Sequence, residues 1–299
     1  MLENVKRTRL DQALDAVNTA VLIIVILLIA YPLLFVVIAS LSDPVAIYND
    51  PLRLWPAKVN FESYKAVFDN KDIWQGFFNS ILYTTIGTLV NIVMTTLAAY
   101  PLSRRDFYGK SAFTFYFVFT MFFSGGLIPS YLINKQLHLL DTFWVMVLPM
   151  AMSVYNAVIM RTYFQTNIPQ ELEESAHVDG CNDFQILYKI VLPLSVPIIA
   201  VLVLFYGVGH WNSYFHALVY LQTRDQFPLQ LILREILVQN QFKDMVGATM
   251  VDERFSERMA VMEGIKYAVV IVSSLPLLVI YPMMSRFFKK GILIGSLKG

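Results

Sequence analysis

The chain has 299 residues, 57% of them hydrophobic and only 15% charged, where a soluble domain carries about 25% charge. The formal net charge of +1 and the lack of a basic tract argue against nucleic acid as the main partner. A single cysteine, Cys181, excludes an intrachain disulfide and a cysteine metal cluster, and the four histidines show no ligand spacing.

Six stretches free of Asp, Glu, Lys and Arg are each long enough to cross the hydrocarbon core, which takes about 20 helical residues. The first, Val17–Ala39, follows Lys6, Arg7 and Arg9. Its apolar run exceeds the roughly 7–15 residues of a signal-peptide core, so a retained helix is expected. The second is Phe78–Leu102, closed by Arg104, Arg105 and Lys110. The third, Ala112–Ile133, contains Gly125-Gly126, a place for a bend. The fourth is Thr142–Met160, the fifth Val191–Tyr214, and the sixth Tyr267–Ser285, followed by Arg286, Lys289 and Lys290. Pro32, Pro149, Pro193, Pro197 and Pro276 are candidate kinks, which membrane helices tolerate. The runs are long and lack period-2 alternation, so the expected fold class is an all-α polytopic membrane protein with six transmembrane helices. On a six-span path the basic clusters all fall on one side, which predicts cytosolic termini by the positive-inside rule. The loops at about 40–77 and 215–266 then lie outside.

Between spans four and five lies Ile168-Pro169-Gln-Glu171-Leu-Glu173-Glu174-Ser175-Ala176-His-Val-Asp179-Gly180, a short acidic segment with helix signals. Pro169 suits the first helical position. Glu171, Glu173 and Glu174 oppose the positive end of the helix dipole. Leu172, Ala176 and Val178 form a narrow apolar face, and Gly180 can take the left-handed conformation that ends a helix. Asn182-Asp183 caps a second helix that carries Phe184, Ile186, Leu187 and Ile190. Two readings follow from these residues: a helix lying on the membrane, or a helix docked in a groove of a partner protein. Surface helices carry a basic polar face, and an anionic leaflet would repel this acidic one. Helix-in-groove docking fits better.

This segment, with Leu192-Pro-Leu-Ser-Val-Pro197 after it, resembles the EAA loop of ABC importer permeases. The triplet reads Glu174-Ser175-Ala176, with Ser175 where the family usually has Ala. From about residue 75 onward the chain is similar to type I (MetI-like) permeases of the carbohydrate importer group, such as the second permease of maltose-type systems. Gly209-His-Trp-Asn-Ser-Tyr-Phe215 and the tail Lys290–Gly299 resemble segments of sugar permeases. Phe123–Ser130, Tyr155-Asn156 and Pro228–Glu235 resemble those of permeases for oligosaccharides or polysaccharide fragments. The resemblance implies a first part, 1–75, with the N-terminus, one helix and an outer loop. It implies a permease core at 76–288 with the coupling loop at 164–190, and a cytosolic tail at 289–299. It implies ATPase coupling through Glu171, Glu173, Glu174, Ser175, Ala176, Asp179 and Gly180, and contact of the tail with the ATPases.

The function so implied is import of oligosaccharides or polysaccharide fragments by alternating access, in a bacterial or archaeal cytoplasmic membrane. The implied partners are a second permease forming a heterodimer, two ATPase subunits and an extracytoplasmic sugar-binding protein. No Gly-x-x-x-x-Gly-Lys-Ser/Thr loop occurs, so ATP and Mg are expected on the partner ATPases, with no cofactor or metal in this chain and no enzymatic role. The alternatives are an importer of another solute, such as a peptide or polyamine, and a stand-alone secondary carrier. The scarcity of ionisable residues inside the spans disfavours the carrier. His210, Trp211, Asn212 and Tyr214 are candidates for a sugar path, since sugars stack on aromatic rings and bond to amides. Helix packing is the competing role for them.

Overall fold

The computed structural model describes residues 9–43, 46–47, 55–56, 58–247 and 264–282, with side chains described as far as 238 in the fourth stretch. The described residues are helical apart from turns, loops and one isolated bridge between Ser42 and Val59. Two compact units are formed, 1–70 with 236–272 and 71–235 with 273–299.

In the first unit, α1 runs from Arg9 to Leu41 with Pro32 inside it. It is apolar on every side, and Leu22, Ile26, Leu28 and Leu33 stand exposed, the pattern of a helix that faces lipid. The short helix α2, Glu62–Asp69, is tied to its end by Tyr64 Oη donating to Ser40 Oγ at 2.8 Å. Phe35 meets Tyr267 edge to face at 5.7 Å.

The second unit is organised on α3, Lys71–Ser103, a helix of 33 residues. Its buried stripe is small or polar: Gly76, Ser80, Gly87, Thr88, Asn91, Thr95 and Ala99. Small residues let neighbouring helices approach closely in a membrane. A Cβ added at Gly87 would lie 2.5 Å from the His210 ring. Around α3 come α4 (Lys110–Phe122), α5 (Leu127–Gln136), α6 (Val154–Asn167), α7 (Gln170–Val178), α8 (Asp183–Leu194), α9 (Val196–Trp211) and α10 (Tyr214–Tyr220). The helices α11 (Leu229–Gly247) and α12 (Gly264–Pro282) contain the unit boundaries. Packing is most extensive between α3 and both α9 and α6.

Among the described residues, α1, α3 and α12 are each long and apolar enough to span a membrane alone. Two bent pairs can add a span each: α4–α5, bent by 114°, and α8–α9, bent by 81°. The first bend falls on Gly125-Gly126 as expected, with Gly126 at φ +83°. The second falls at Ser195, between Pro193 and Pro197, after a π-helical stretch at Leu187–Val191. The boundaries of the fourth expected span need correction. Thr142–Met160 is not one helix: it holds a short 3₁₀ turn, Phe143–Met146, then irregular chain around Pro149, and α6 starts only at Val154 and runs on to Asn167. Irregular chain at membrane depth needs partners for its backbone. Asn91 Nδ2 donates to the Met150 carbonyl, and the Ser153 N–H donates to Tyr206 Oη at 3.1 Å. Tyr206 is held in turn by Thr95 Oγ1 at 2.7 Å. The expected fifth span is likewise shorter at its far end, since α9 stops at Trp211 with Asn212 as its cap. The expected outer loops are also more regular than loops: α2, nearly all of α10 and the whole of α11 lie within them.

Candidate functional site

The acidic segment folds as α7, nine residues long. The preceding helix α6 cannot pass Ile168-Pro169, because the residue before proline is pushed out of the helical region, and Ile168 sits at φ −105°, ψ 112°. Pro169 is the N-cap of α7 rather than its first helical residue, one position earlier than the sequence suggests. The far end closes as a Schellman turn: Cys181 N–H donates to the Ala176 carbonyl at 2.9 Å and Gly180 N–H to that of His177 at 3.0 Å. Gly180 is left-handed at φ +83°, as the turn requires. The next helix opens on a capping box, with Gln185 N–H donating to Asn182 Oδ1 at 2.9 Å and Asn182 N–H to Gln185 Oε1 at 3.0 Å.

The expected apolar face is only partly used. Ala176 is buried in a cluster with Tyr100, Met160, Phe164, Ile168, Ile186 and Leu187. Leu172 and Val178 remain 43% and 88% exposed, so they are available to something outside the chain. Glu171, Glu174, Ser175, Asp179 and Gly180 are exposed as well. Glu173 points the other way. Its carboxylate accepts from Arg104 Nη1, and the two side chains are only 17% and 13% exposed. The same guanidinium donates through Nη2 to His177 Nε2 at 3.1 Å and through Nε to Asp106 at 3.3 Å, and lies 5.9 Å from the Tyr100 ring centroid. Since arginine only donates, His177 Nε2 is the acceptor in that contact. Burial pushes the Glu173 carboxyl above its usual range, and Arg104 opposes that rise. Burial lowers the Arg104 guanidinium, but Glu173, Tyr100 and Asp106 together outweigh it and the group is held above its ordinary value. Beside α7 opens a cleft of about 470 Å³, lined by Tyr100, Arg104, Asp106, Tyr108, Phe184 and Leu187 among others. Tyr108, Phe184 and Tyr188 are 97%, 76% and 73% exposed. The surface as a whole is an acidic ridge next to an aromatic rim, complementary to a partner that offers cations and apolar side chains. Sequence reading took Arg104 only as an orientation charge and did not find this rim, because neither pattern is local.

The four candidate path residues divide in two. His210 and Trp211 are buried. His210 Nε2 lies 2.6 Å from Asn91 Oδ1, and Trp211 Nε1 donates to the Ser273 carbonyl at 3.0 Å and meets Phe77 edge to face. Asn212 and Tyr214 are exposed, with Asn212 turned back on the Val208 carbonyl at 3.0 Å. The tail Gly291–Gly299 lies outside the described residues.

Residues 91–294 match the family described as binding-protein-dependent transport system inner membrane component. The chain belongs to that family: it is a membrane-integral permease subunit of an ABC transport system, a transport component rather than an enzyme. It is 39% identical over 294 residues to the polygalacturonan/rhamnogalacturonan transport system permease protein YtcP of Bacillus subtilis, covering 97% of this chain and 99% of that one. Protein LplC of the same organism is also 39% identical, over 90% of this chain and 89% of its own length. A crystal structure of a bacterial ABC transporter involved in import of the acidic polysaccharide alginate contains a chain that superposes with a TM-score of 0.85 at 31% identity, over 94% of this chain and 98% of that one.

Proposed function

We propose that this chain is one of two permeases in an ATP-driven importer of oligosaccharides or polysaccharide fragments, and that acidic, uronate-bearing fragments are its substrate class. The observation that carries the substrate class is the near end-to-end likeness both to a polygalacturonan/rhamnogalacturonan permease and to a chain of an alginate importer. Both termini lie in the cytosol. An extracytoplasmic binding protein delivers the sugar, two ATPase subunits hold ATP and Mg, and closure of the ATPases drives alternating access. The exposed ridge Glu171, Glu174, Ser175 and Asp179 with Val178 is the ATPase contact. What supports this reading is that these side chains are exposed, with only Ser175 bonded back to the Leu172 carbonyl of its own helix, while the C-terminal end of that helix is closed by its turn. A charge-assisted contact at such an interface contributes about 1.5–3 kcal/mol.

The experiment is reconstitution of the chain with its second permease, ATPase and binding protein in proteoliposomes. Uptake of short oligogalacturonates should exceed that of neutral oligosaccharides of equal length by about tenfold or more. Equal rates for both would remove the acidic class, and uptake of peptides or polyamines in preference to either would remove the sugar. Within the same system Glu174→Lys should lose the co-purifying ATPase.

A further inference from the structure

We infer that Arg104 is a positioning residue that clamps α7 to the end of α3, so that movement of α7 is passed directly to the central helix of the bundle; this rests on α7 being the ATPase contact. The argument starts from how little else holds α7. A helix of nine residues is too short to persist alone, since isolated helices below about 12–15 residues are marginal. Only one of its residues, Ala176, is buried, and a methyl group supplies little packing. The covalent connections at each end are turns: Ile168-Pro169 before it and Asp179-Gly180 after it. Besides an exposed contact of His177 Nε2 with Asp183 Oδ1 at 3.5 Å, what remains is the guanidinium of Arg104, which reaches two successive positions on the inner face of α7, Glu173 and His177, four residues apart and therefore stacked on one side of the helix.

The clamp is placed where a surface ion pair would not be. Its two charged side chains are largely shielded from water, so the attraction between them is screened less than that of an exposed pair. Arg104 is the first residue beyond α3, and its backbone is fixed as well: Lys110 Nζ donates to the Arg104 carbonyl at 2.8 Å. Gln165 of α6 donates to the Ser103 carbonyl at 3.3 Å. The anchor point is therefore rigid, and α3 is the helix on which α6 and α9 pack most extensively. The outer face of α7 carries the free carboxylates and the inner face carries the clamp, so Glu173 and Glu174, adjacent in sequence, have opposite duties. Glu174 faces the partner and Glu173 faces Arg104.

The test uses the assembled importer in proteoliposomes, with two readouts: hydrogen exchange of the amides of 170–178, and sugar transported per ATP hydrolysed. Arg104→Gln should raise exchange across α7 by about tenfold or more and lower the transport-to-hydrolysis ratio about fivefold, with the ATPase still co-purifying. Glu173→Gln should lose α7 protection in the same way. The charge swap Arg104→Glu with Glu173→Arg should restore both readouts toward the starting values, which a role in folding alone would not predict. Should Arg104→Gln fail to insert, Arg104→Lys serves: it keeps the charge, loses the forked geometry, and should show the same two effects at smaller size. Unchanged exchange across α7, or an unchanged ratio, in the inserted Arg104 variant overturns the inference. The docking reading is judged separately, by whether Glu174→Lys keeps its ATPase. If it does, that reading fails, and the exchange result still decides whether the clamp exists.

Discussion

The two ends of α3, about 50 Å apart along a helix of 33 residues, are built in opposite ways. At the Lys71 end, the loop 221–229 is stitched down on every side. Asn79 Nδ2 donates to the carbonyls of Asp225 and Phe227 at 2.7 and 3.0 Å, and Tyr83 Oη to that of Gln226 at 2.9 Å. The Leu229 N–H donates to Ser80 Oγ at 2.9 Å. The Asp141 carboxylate accepts from the N–H groups of Gln222 and Thr223 and from Thr223 Oγ1, at 2.6–2.8 Å. At the Ser103 end, α7 is held chiefly by one guanidinium and one buried alanine, with only an exposed His177–Asp183 contact beside them. A stitched loop keeps its shape whatever binds to it, whereas a helix on a single clamp can be tilted and reseated. The proposed orientation puts the stitched end outside, facing a binding protein, and the clamped end inside, facing the ATPases.

The largest expected effect is at the stitched end. Asp141→Ala removes three hydrogen bonds, leaving two backbone N–H groups to water, and it places alanine at φ +56°, a left-handed conformation that aspartate tolerates better. A loss of about 2–3 kcal/mol is expected, seen as faster hydrogen exchange at 222–227. Asp141→Asn, which accepts the left-handed conformation, should cost less. The same group makes this end acid-sensitive. Bonds from Thr223 hold the Asp141 carboxyl below its ordinary value. A group depressed in the folded state contributes fully above its unfolded pKa, about 3.9, and its contribution disappears as pH falls through the lower folded value. Nicking of the loop 221–227 by pepsin should therefore rise as pH falls below about 4 and be blunted in Asp141→Asn. If Asp141→Ala alters neither exchange nor nicking, the contrast between the two ends is wrong.

A smaller effect is expected at the clamped end. A Cβ at Gly180 meets nothing within 4 Å, so substitution there costs only the backbone preference. Gly180→Val at φ +83° is strained by about 1–2 kcal/mol. That is enough to displace α8 relative to α7, but not to unfold the bundle. Uptake should fall while membrane insertion and the exchange pattern of α3 stay as they were. Gly180→Asn, which adopts left-handed backbone more readily, should stay close to the parent in uptake. Wild-type uptake by Gly180→Val would mean that the turn does not set the position of α8.

The two ends also differ in how well they can be read from the amino acids. The coupling segment is local: proline, carboxylates, glycine and an Asn-Asp pair within 15 residues of one another announce a start, a face, a stop and a new cap, and the structure has the start, the stop and the cap within one position but buries only Ala176 of the expected face. The break at Gly125-Gly126 is legible for the same reason. The six-span plan reads the helical, membrane-integral class correctly, because apolar length is a property of the chain alone. What stays hidden depends on distant partners. Thr142–Met160 looks like an uninterrupted helix because it is apolar, and it is not one because Asn91 and Tyr206, far off in sequence, supply the hydrogen bonds that irregular chain needs. Arg104 and Glu173 are likewise 69 residues apart. Their pairing divides Glu171, Glu173 and Glu174, all within four residues, between an inner and an outer face, which no periodicity of the loop alone reveals.

The smallest expected effect concerns the ridge of span five, where the four path candidates can be separated. Asn212 and Tyr214 lie just beyond α9 and are open to whatever passes, while His210 and Trp211 are engaged by Asn91 and Ser273 inside the unit. Asn212→Ala also loses the bond to the Val208 carbonyl, but that bond is exposed and water replaces it. If these two side chains touch sugar, each contributes about 1 kcal/mol, through an amide hydrogen bond or a ring stack. Asn212→Ala and Tyr214→Ala should each change uptake about fivefold, with assembly and basal ATP hydrolysis intact. Trp211→Ala should instead reduce the amount of folded protein in the membrane, since it empties a buried site and loses the indole bond to the Ser273 carbonyl. The measurement is uptake normalised to inserted permease. If Asn212→Ala and Tyr214→Ala leave that quantity unchanged, neither residue touches the sugar, and span five serves at this level only to pack α9 against α3 and α12.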